Sequence, residues 1–270
     1  LKLCLIGDSH AAMLIAAHRQ NPADDALTVF AKPGLVAEDI ALTGPLLHAV
    51  SADMHARLAA MGTPDTLDLA DFDAVVIAGL VPSAFAAVRL QQAHSVSGWP
   101  SGEISVAKAL TDMPAAKTLP LMSRAAYVAA LTALSQTSLA ARIASAAPCP
   151  VIVVAQPFPS DALLDKDGTY PIMRRLLRQG DGTALAADLI TAHRAGLGAL
   201  AGTTYLPQPA DTLSHGCLTQ AVFMRGGPRL SDGSRQDSDD VLHGNAALGA
   251  RLLSDLRTRL ARPVQTTSNP

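Results

Sequence analysis

Short, nearly continuous apolar runs recur along this chain, separated by longer Ala- and Leu-rich stretches of helical period, and that alternation constrains the fold most. The runs at residues 1–6, 27–31, 74–78, 151–155 and 200–205 are of strand length and lack regular polar alternation. Strands covered on both faces read this way. Helical period is carried by residues 10–19, 46–61, 83–92, 123–146, 172–194 (with a break expected at 180–182) and 243–260. The last is clearest, because Leu242, Ala246, Gly249, Leu252, Leu253, Leu256 and Leu260 recur at three- and four-residue steps. Strands alternating with helices predict a three-layer α/β/α sandwich around a central parallel sheet. No repeat or composition break divides the chain, so residues 1–262 read as one domain and 263–270 as a frayed polar tail.

Composition narrows the function classes. Hydrophobic residues make up 49% and charged residues 16%, which excludes an intrinsically disordered chain. A net charge of -2 argues against a basic nucleic-acid surface. Cys4, Cys149 and Cys217 lie far apart, without the spacing of a zinc ribbon or the even number of a disulfide framework. The apolar runs fall short of the roughly 18 residues that a membrane span requires. No basic segment followed by an apolar one opens the chain, so a cytoplasmic location is the default expectation.

Chemistry concentrates at two junctions. In Leu5-Ile6-Gly7-Asp8-Ser9-His10-Ala11 an apolar strand ends at Gly7 and an Ala-rich helix follows. Ser9 therefore sits at the carboxyl edge of a parallel strand, where open α/β sheets place their ligands, beside the N–H groups that open a helix. The plainer alternative is that Ser9 or Asp8 caps that helix. Near the far end, Asp239-Asp240-Val241-Leu242-His243-Gly244-Asn245 precedes the final helix. A carboxylate three residues before a histidine is spaced to hold one imidazole nitrogen and leave the other to take a proton, although both residues also suit a helix start. Asp237 and Asp239 are rival carboxylates, but the three-residue spacing favours Asp240.

Together these segments resemble the SGNH, or GDSL-type, hydrolase superfamily. Gly7-Asp8-Ser9 matches its first block, and Asp240-Val241-Leu242-His243 matches its last. Gly34, after the run 27–31, stands where the family's second-block glycine does. Gly79 matches the glycine of the third block, but Leu80-Val81-Pro82 follows and that block's asparagine is missing. The resemblance implies a flavodoxin-like sandwich and a serine esterase or acyl hydrolase working through a triad of Ser9, Asp240 and His243. It implies an oxyanion hole from Ser9, Gly34 and Gly79, an acyl-enzyme, and no metal or organic cofactor. The Gly-Asp-Ser-His form is similar to SGNH domains that acylate or deacylate bacterial glycans. The expected partner is thus a small-molecule or glycan ester, of O-acetyl or short acyl type. An O-acyltransferase with the same triad is an alternative, as is a catalytically impaired glycan-binding module.

Rival readings draw on fewer residues. Asp8 and His10 also read as a metal-ligand pair, with Asn245 as a faint further ligand, but the rest of a two-metal set is absent. Residues 196–201 fit G-x-G-x-x-A, yet follow a helix and lead into a strand, the reverse of a dinucleotide fingerprint; Gly196 and Gly198 are expected to end the helix. No G-x-S-x-G is present, which argues against an α/β-hydrolase elbow. His215 and Cys217 lack partner ligands. His18, His48, His55 and His193 are expected at surfaces or boundaries, and Cys4 in packing. His94, Trp99 and Tyr170 are expected to rim the site, Trp99 stacking on a sugar or anchoring a lid. Residues 207–240 are expected to shape the pocket, tethered by Leu213, Leu218, Val222 and Phe223.

Overall fold

The computed structural model describes residues 1–110, 119–166 and 169–261; the tail expected to fray at 263–270 lies outside them. Five parallel strands, β1 (Lys2–Gly7), β2 (Ala26–Ala31), β3 (Ala74–Ala78), β4 (Val151–Val154) and β5 (Thr203–Leu206), form a sheet in the order β5-β4-β3-β1-β2. The expected strands are thus present, the fifth beginning three residues later than its apolar run. The chain leaves β1 for β2 on one side and then crosses to β3 on the other. The crevice at the carboxyl ends of β1 and β3 is therefore the topological switch point, the place where such sheets bind ligands.

Alternate residues of each strand feed separate cores, as a two-sided sheet requires. Leu3 and Leu5 of β1 and Val76 of β3 pack with α1 (Ala11–Gln20) and the carboxyl-terminal helix. Cys4, Ile6, Val75 and Ile77 pack on the other face with α2 (Ala52–Met61) and the helix at Leu139–Ala146. A third cluster is mainly helical, built from α3 (Ala84–Gln91), α5 (Arg124–Gln136), α7 (Pro171–Arg178) and α8 (Gly182–Gly198), with Trp99 just ahead of α4 (Pro100–Leu110). The remaining helices are α6 (Leu139–Ala146), on the second face, and α9 (Ala246–Leu260), against α1. Helices therefore cover both faces of the parallel sheet. No helix among the described residues is long and apolar enough to cross a membrane.

Several helix expectations are corrected. Residues 46–61 are not one helix: Leu46–Ala49 is the middle strand of a small antiparallel sheet between Ile40–Thr43 and Thr66–Asp68. The helix starts only after Ser51, whose hydroxyl accepts the Met54 N–H. Residues 123–146 divide at Thr137–Ser138, where the Ser138 hydroxyl caps a new helix by accepting the Ala141 N–H. The break at 180–182 is present, with Gly180 in a left-handed conformation. Gly196 lies inside α8, not at its end. A Cβ there would stand 2.8 Å from that of Ser135, so this glycine lets α5 and α8 pack closely.

Candidate active site

Ser9 is placed by the way β1 ends. Gly7 pairs with Ala31 of β2 and Ala78 of β3, and a Cβ on it would stand 2.6 Å from the Ala78 carbonyl oxygen. The chain then turns at once: the Asp8 carboxylate accepts the His10 N–H at 2.9 Å, and the Ala12 N–H donates to the Ser9 carbonyl at 3.2 Å. Asp8 thus takes up an N–H beside the helix start. The Ser9 hydroxyl caps nothing. Among the described residues its hydrogen bond is to His243 Nε2, at 3.0 Å.

His243 comes from the other end of the chain, three residues ahead of α9. It is not a first-turn residue, since Asn245 is the N-cap and its Oδ1 accepts the Ala247 and Leu248 N–H groups. The Asn245 side-chain amide donates to Val222 O and Arg225 O, stitching the helix start to the preceding loop. Asp240 Oδ2 stands 2.6 Å from His243 Nδ1, and its Oδ1 accepts the Leu242 N–H at 2.8 Å. Nδ1 then carries the proton, and Nε2 is left with a lone pair facing Ser9. Burial alone would raise the Asp240 carboxyl, but these hydrogen bonds outweigh it and hold the group below the usual carboxylate range. Of the rival carboxylates, Asp237 is exposed and pairs with Arg229 at 2.9 Å, and Asp239 offers its backbone carbonyl to Lys166.

The proposed oxyanion donors fare differently. Neither the Ser9 nor the Gly34 N–H has a protein acceptor among the described residues. Gly34 sits with φ 64° in a turn closed by the Leu35 N–H on Lys32 O, and Lys32 N–H in turn donates to Gly7 O beside the serine turn. The loop is pinned by Asp39, which takes the Val36 N–H, the Ser51 hydroxyl and the Lys32 ammonium at 3.0, 2.6 and 3.1 Å. Gly79, by contrast, donates its N–H to Val154 O at 2.8 Å, extending the β3–β4 ladder. That corrects the expectation for Gly79. Its glycine character answers to Asp8: φ is 73°, and a Cβ would lie 2.7 Å from both carboxylate oxygens.

Two residues at the site escaped the sequence reading of a triad. His10 is 4% exposed, and its ring stacks on that of His243 at a centroid separation of 5.0 Å and 21° between planes. Gln156, just past β4, holds His10 Nε2 with its side-chain amide. Burial, with His243 nearby, pushes His10 down to about 3, so the ring is neutral; burial raises Asp8 to about 6. His10 had drawn notice only as a metal ligand beside Asp8 and Asn245. These three do not converge: Asp8 turns to a backbone N–H, His10 to Gln156, and Asn245 to the start of α9. Nothing in the sequence marked Gln156.

Other expected site residues lie elsewhere. Trp99 is fully buried in the helical cluster, its indole N–H donating to Asp188 and its ring set edge-on to Tyr127, so it neither stacks on a ligand nor rims the site. Tyr170 packs on Phe85 in the same cluster, and His94 follows α3, its N–H on Gln91 O. His193 is buried, not at a boundary; its Nε2 meets Pro82 O and burial pushes it down to about 4. Cys4 and Cys217 are buried, and each thiol is pushed up to about 12, as packing residues would be. Within residues 207–240, Leu218 is buried and Leu213 and Phe223 pack against the cores as expected, but the Val222 side chain is 64% exposed; Met224 and Leu230 are further buried anchors of that stretch.

No protein-family model matches the chain, and no curated protein does. Among solved structures it is similar to a carbohydrate esterase family 2 enzyme plus carbohydrate binding domain from Corynascus thermopiles (Myceliophthora fergusii), with 15% identity and a TM-score of 0.38. That alignment covers 96% of this chain and 65% of the other, so the chain spans about two thirds of that structure's length. It is also similar to the lipase Lip_vut3 from a goat rumen metagenome, with 11% identity, 96% of each chain covered and a TM-score of 0.37.

Proposed function

We propose that this protein is a serine-dependent ester hydrolase of the SGNH type. The observation that carries the reading is the unbroken relay from Ser9 Oγ to His243 Nε2 at 3.0 Å and from His243 Nδ1 to Asp240 at 2.6 Å. In the proposed cycle Ser9 Oγ attacks the ester carbonyl while His243 Nε2 takes its proton, and Asp240 orients and supports the resulting imidazolium. The tetrahedral oxyanion rests on the Ser9 and Gly34 N–H groups. His243 returns the proton to the alcohol oxygen as the carbonyl–oxygen bond breaks, leaving an acyl-Ser9 ester. Water, deprotonated by His243, attacks that ester; as the carbonyl–Oγ bond breaks, His243 returns the proton to Ser9 Oγ and the acid is released.

Two backbone donors replace the three of the full family pattern, since the place of the asparagine is held by Val81 and the Gly79 N–H is engaged. Losing one such donor costs about a hundred- to a thousandfold in rate, so slow turnover of model esters is expected. The preferred substrate is an O-acetyl or short acyl ester on a carbohydrate. A sugar hydroxyl in place of water would make the same acyl-enzyme a transferase.

The test is turnover of p-nitrophenyl acetate and labelling by a fluorophosphonate. Ser9→Ala is expected to abolish labelling and lower turnover by roughly four orders of magnitude or more, and His243→Ala to fall to a similar residual rate because the residues act as a unit. Undiminished turnover in Ser9→Ala ends the proposal.

A further inference from the structure

The two hydrogen bonds that hold the His243 imidazole lie along its edge, at Nδ1 and Nε2. Such bonds resist sliding within the ring plane but leave rolling about the line joining the two nitrogens weakly opposed. A flat group against the ring face removes that freedom. His10 supplies one: the rings are 5.0 Å apart and nearly parallel. Its own orientation is set by the helix start beneath it and by Gln156 at Nε2.

We propose that His10 is a positioning residue whose flat ring is the platform that sets the tilt of the His243 imidazole toward Ser9. The inference rests on the hydrolase reading above. A histidine suits the place for two reasons. Nε2 gives Gln156 something to hold, and the buried ring stays neutral, so it adds no positive charge against the imidazolium that forms on His243. The charged groups around it are Asp8 on its own turn and Asp240 and His243 on the loop before α9. Filling space does not account for the residue. His10 Nδ1 is buried with no partner among the described residues, a cost in stability that an apolar side chain would not carry.

The experiment compares His10→Ala with His10→Phe in the full chain. Loss of the platform is expected to lower kcat for p-nitrophenyl acetate by about tenfold or more, since small misplacements of a reacting group are costly, with KM within about twofold. The phenyl ring restores the flat face, so His10→Phe is expected to keep kcat within about threefold of the parent. An unimpaired His10→Ala, or a His10→Phe as impaired as His10→Ala, overturns the proposal. Should His10→Ala not fold, His10→Gln removes the ring while keeping bulk, and the same loss is expected of it. A second readout needs no substrate: the low-field proton resonance of the His243 Nδ1–H···Asp240 bond. It is expected to be sharp in the parent and in His10→Phe and broadened or lost without the ring; a resonance unchanged in His10→Ala overturns the proposal. A parent chain without Ser9-dependent turnover refutes the hydrolase reading, and the resonance still decides the role of His10.

Discussion

Ser9 and His243 meet at one point but are held in contrasting ways. Ser9 arrives on an abrupt turn between β1 and α1, its backbone defined by the sheet on one side and the helix on the other. His243 arrives at the end of a long irregular stretch that follows β5. That stretch is fastened by scattered contacts: Ser160 N–H on Val241 O, Asn245 N–H on Phe223 O, the Asn245 amide on Val222 O and Arg225 O, and Arg57 on Leu230 O and Ser231 O. Ser9 is thus positioned by secondary structure, whereas His243 is positioned by tertiary contacts that each contribute little. The first junction should resist perturbation until its backbone clashes, and the second should loosen by degrees.

Glycine substitutions sharpen that contrast most. In Gly7→Ala the new Cβ meets a backbone oxygen inside the sheet at 2.6 Å, whereas in Gly244→Ala it meets Met13 Sδ at 2.7 Å and Leu248 Cδ2 at 2.8 Å, the ends of flexible side chains. We expect Gly7→Ala to cost roughly 1–3 kcal/mol, as overpacking does, and Gly244→Ala to fall at or below the low end of that range. Denaturant midpoints measure both, and equal losses would break the comparison.

Acid titration comes next. His10 is lowered from 6.5 to about 3 and His193 from 6.5 to about 4, so between those values and 6.5 the unfolded chain binds protons that the folded chain does not. Stability therefore falls as pH drops below 6.5. Asp8 acts oppositely: raised from 3.8 to about 6, it holds an extra proton in the folded state across that window and offsets one of the two histidines. The net expectation between pH 6 and 4 is a loss of about 1.4 kcal/mol per pH unit. Urea midpoints across that range check it, with His193→Gln flattening the slope. Stability that rises on acidification would contradict buried neutral histidines.

The smallest effect is expected at Asn245. Removing its cap in Asn245→Ala costs about 1 kcal/mol, and turnover falls several-fold at temperatures where the chain stays folded, because the same side chain ties the loop ahead of His243. Unchanged turnover would mean that the loop is held without it.

Legibility in the sequence followed the range of the interactions involved. Strands β1 to β4 announced themselves because a strand buried on both faces leaves no polar alternation, and the Ser9 turn because a strand meets a helix there with glycine between. The stretch 46–61 misled because Leu46, Leu47 and Ala49 fit a helical face as well as a strand. Pairing with Ile40–Thr43 and Thr66–Asp68 decided the matter. Trp99 sits in a Gly- and Ser-bearing segment that reads as a surface loop, yet Asp188, far along the chain, draws its indole inward. Gly79 carried the expected residue type, but its N–H is claimed by the strand beside it.

By itself the sequence determined the parallel scaffold and the placing of a serine at its carboxyl edge, since both follow from local periodicity and from chain reversal at a glycine. Only the tertiary structure decided that Gly79 is spent within the sheet and that His10 and Gln156 stand behind the imidazole. Those outcomes depend on which distant groups compete for the same N–H or ring face, and that competition exists only once the sheet has brought them within a few ångströms.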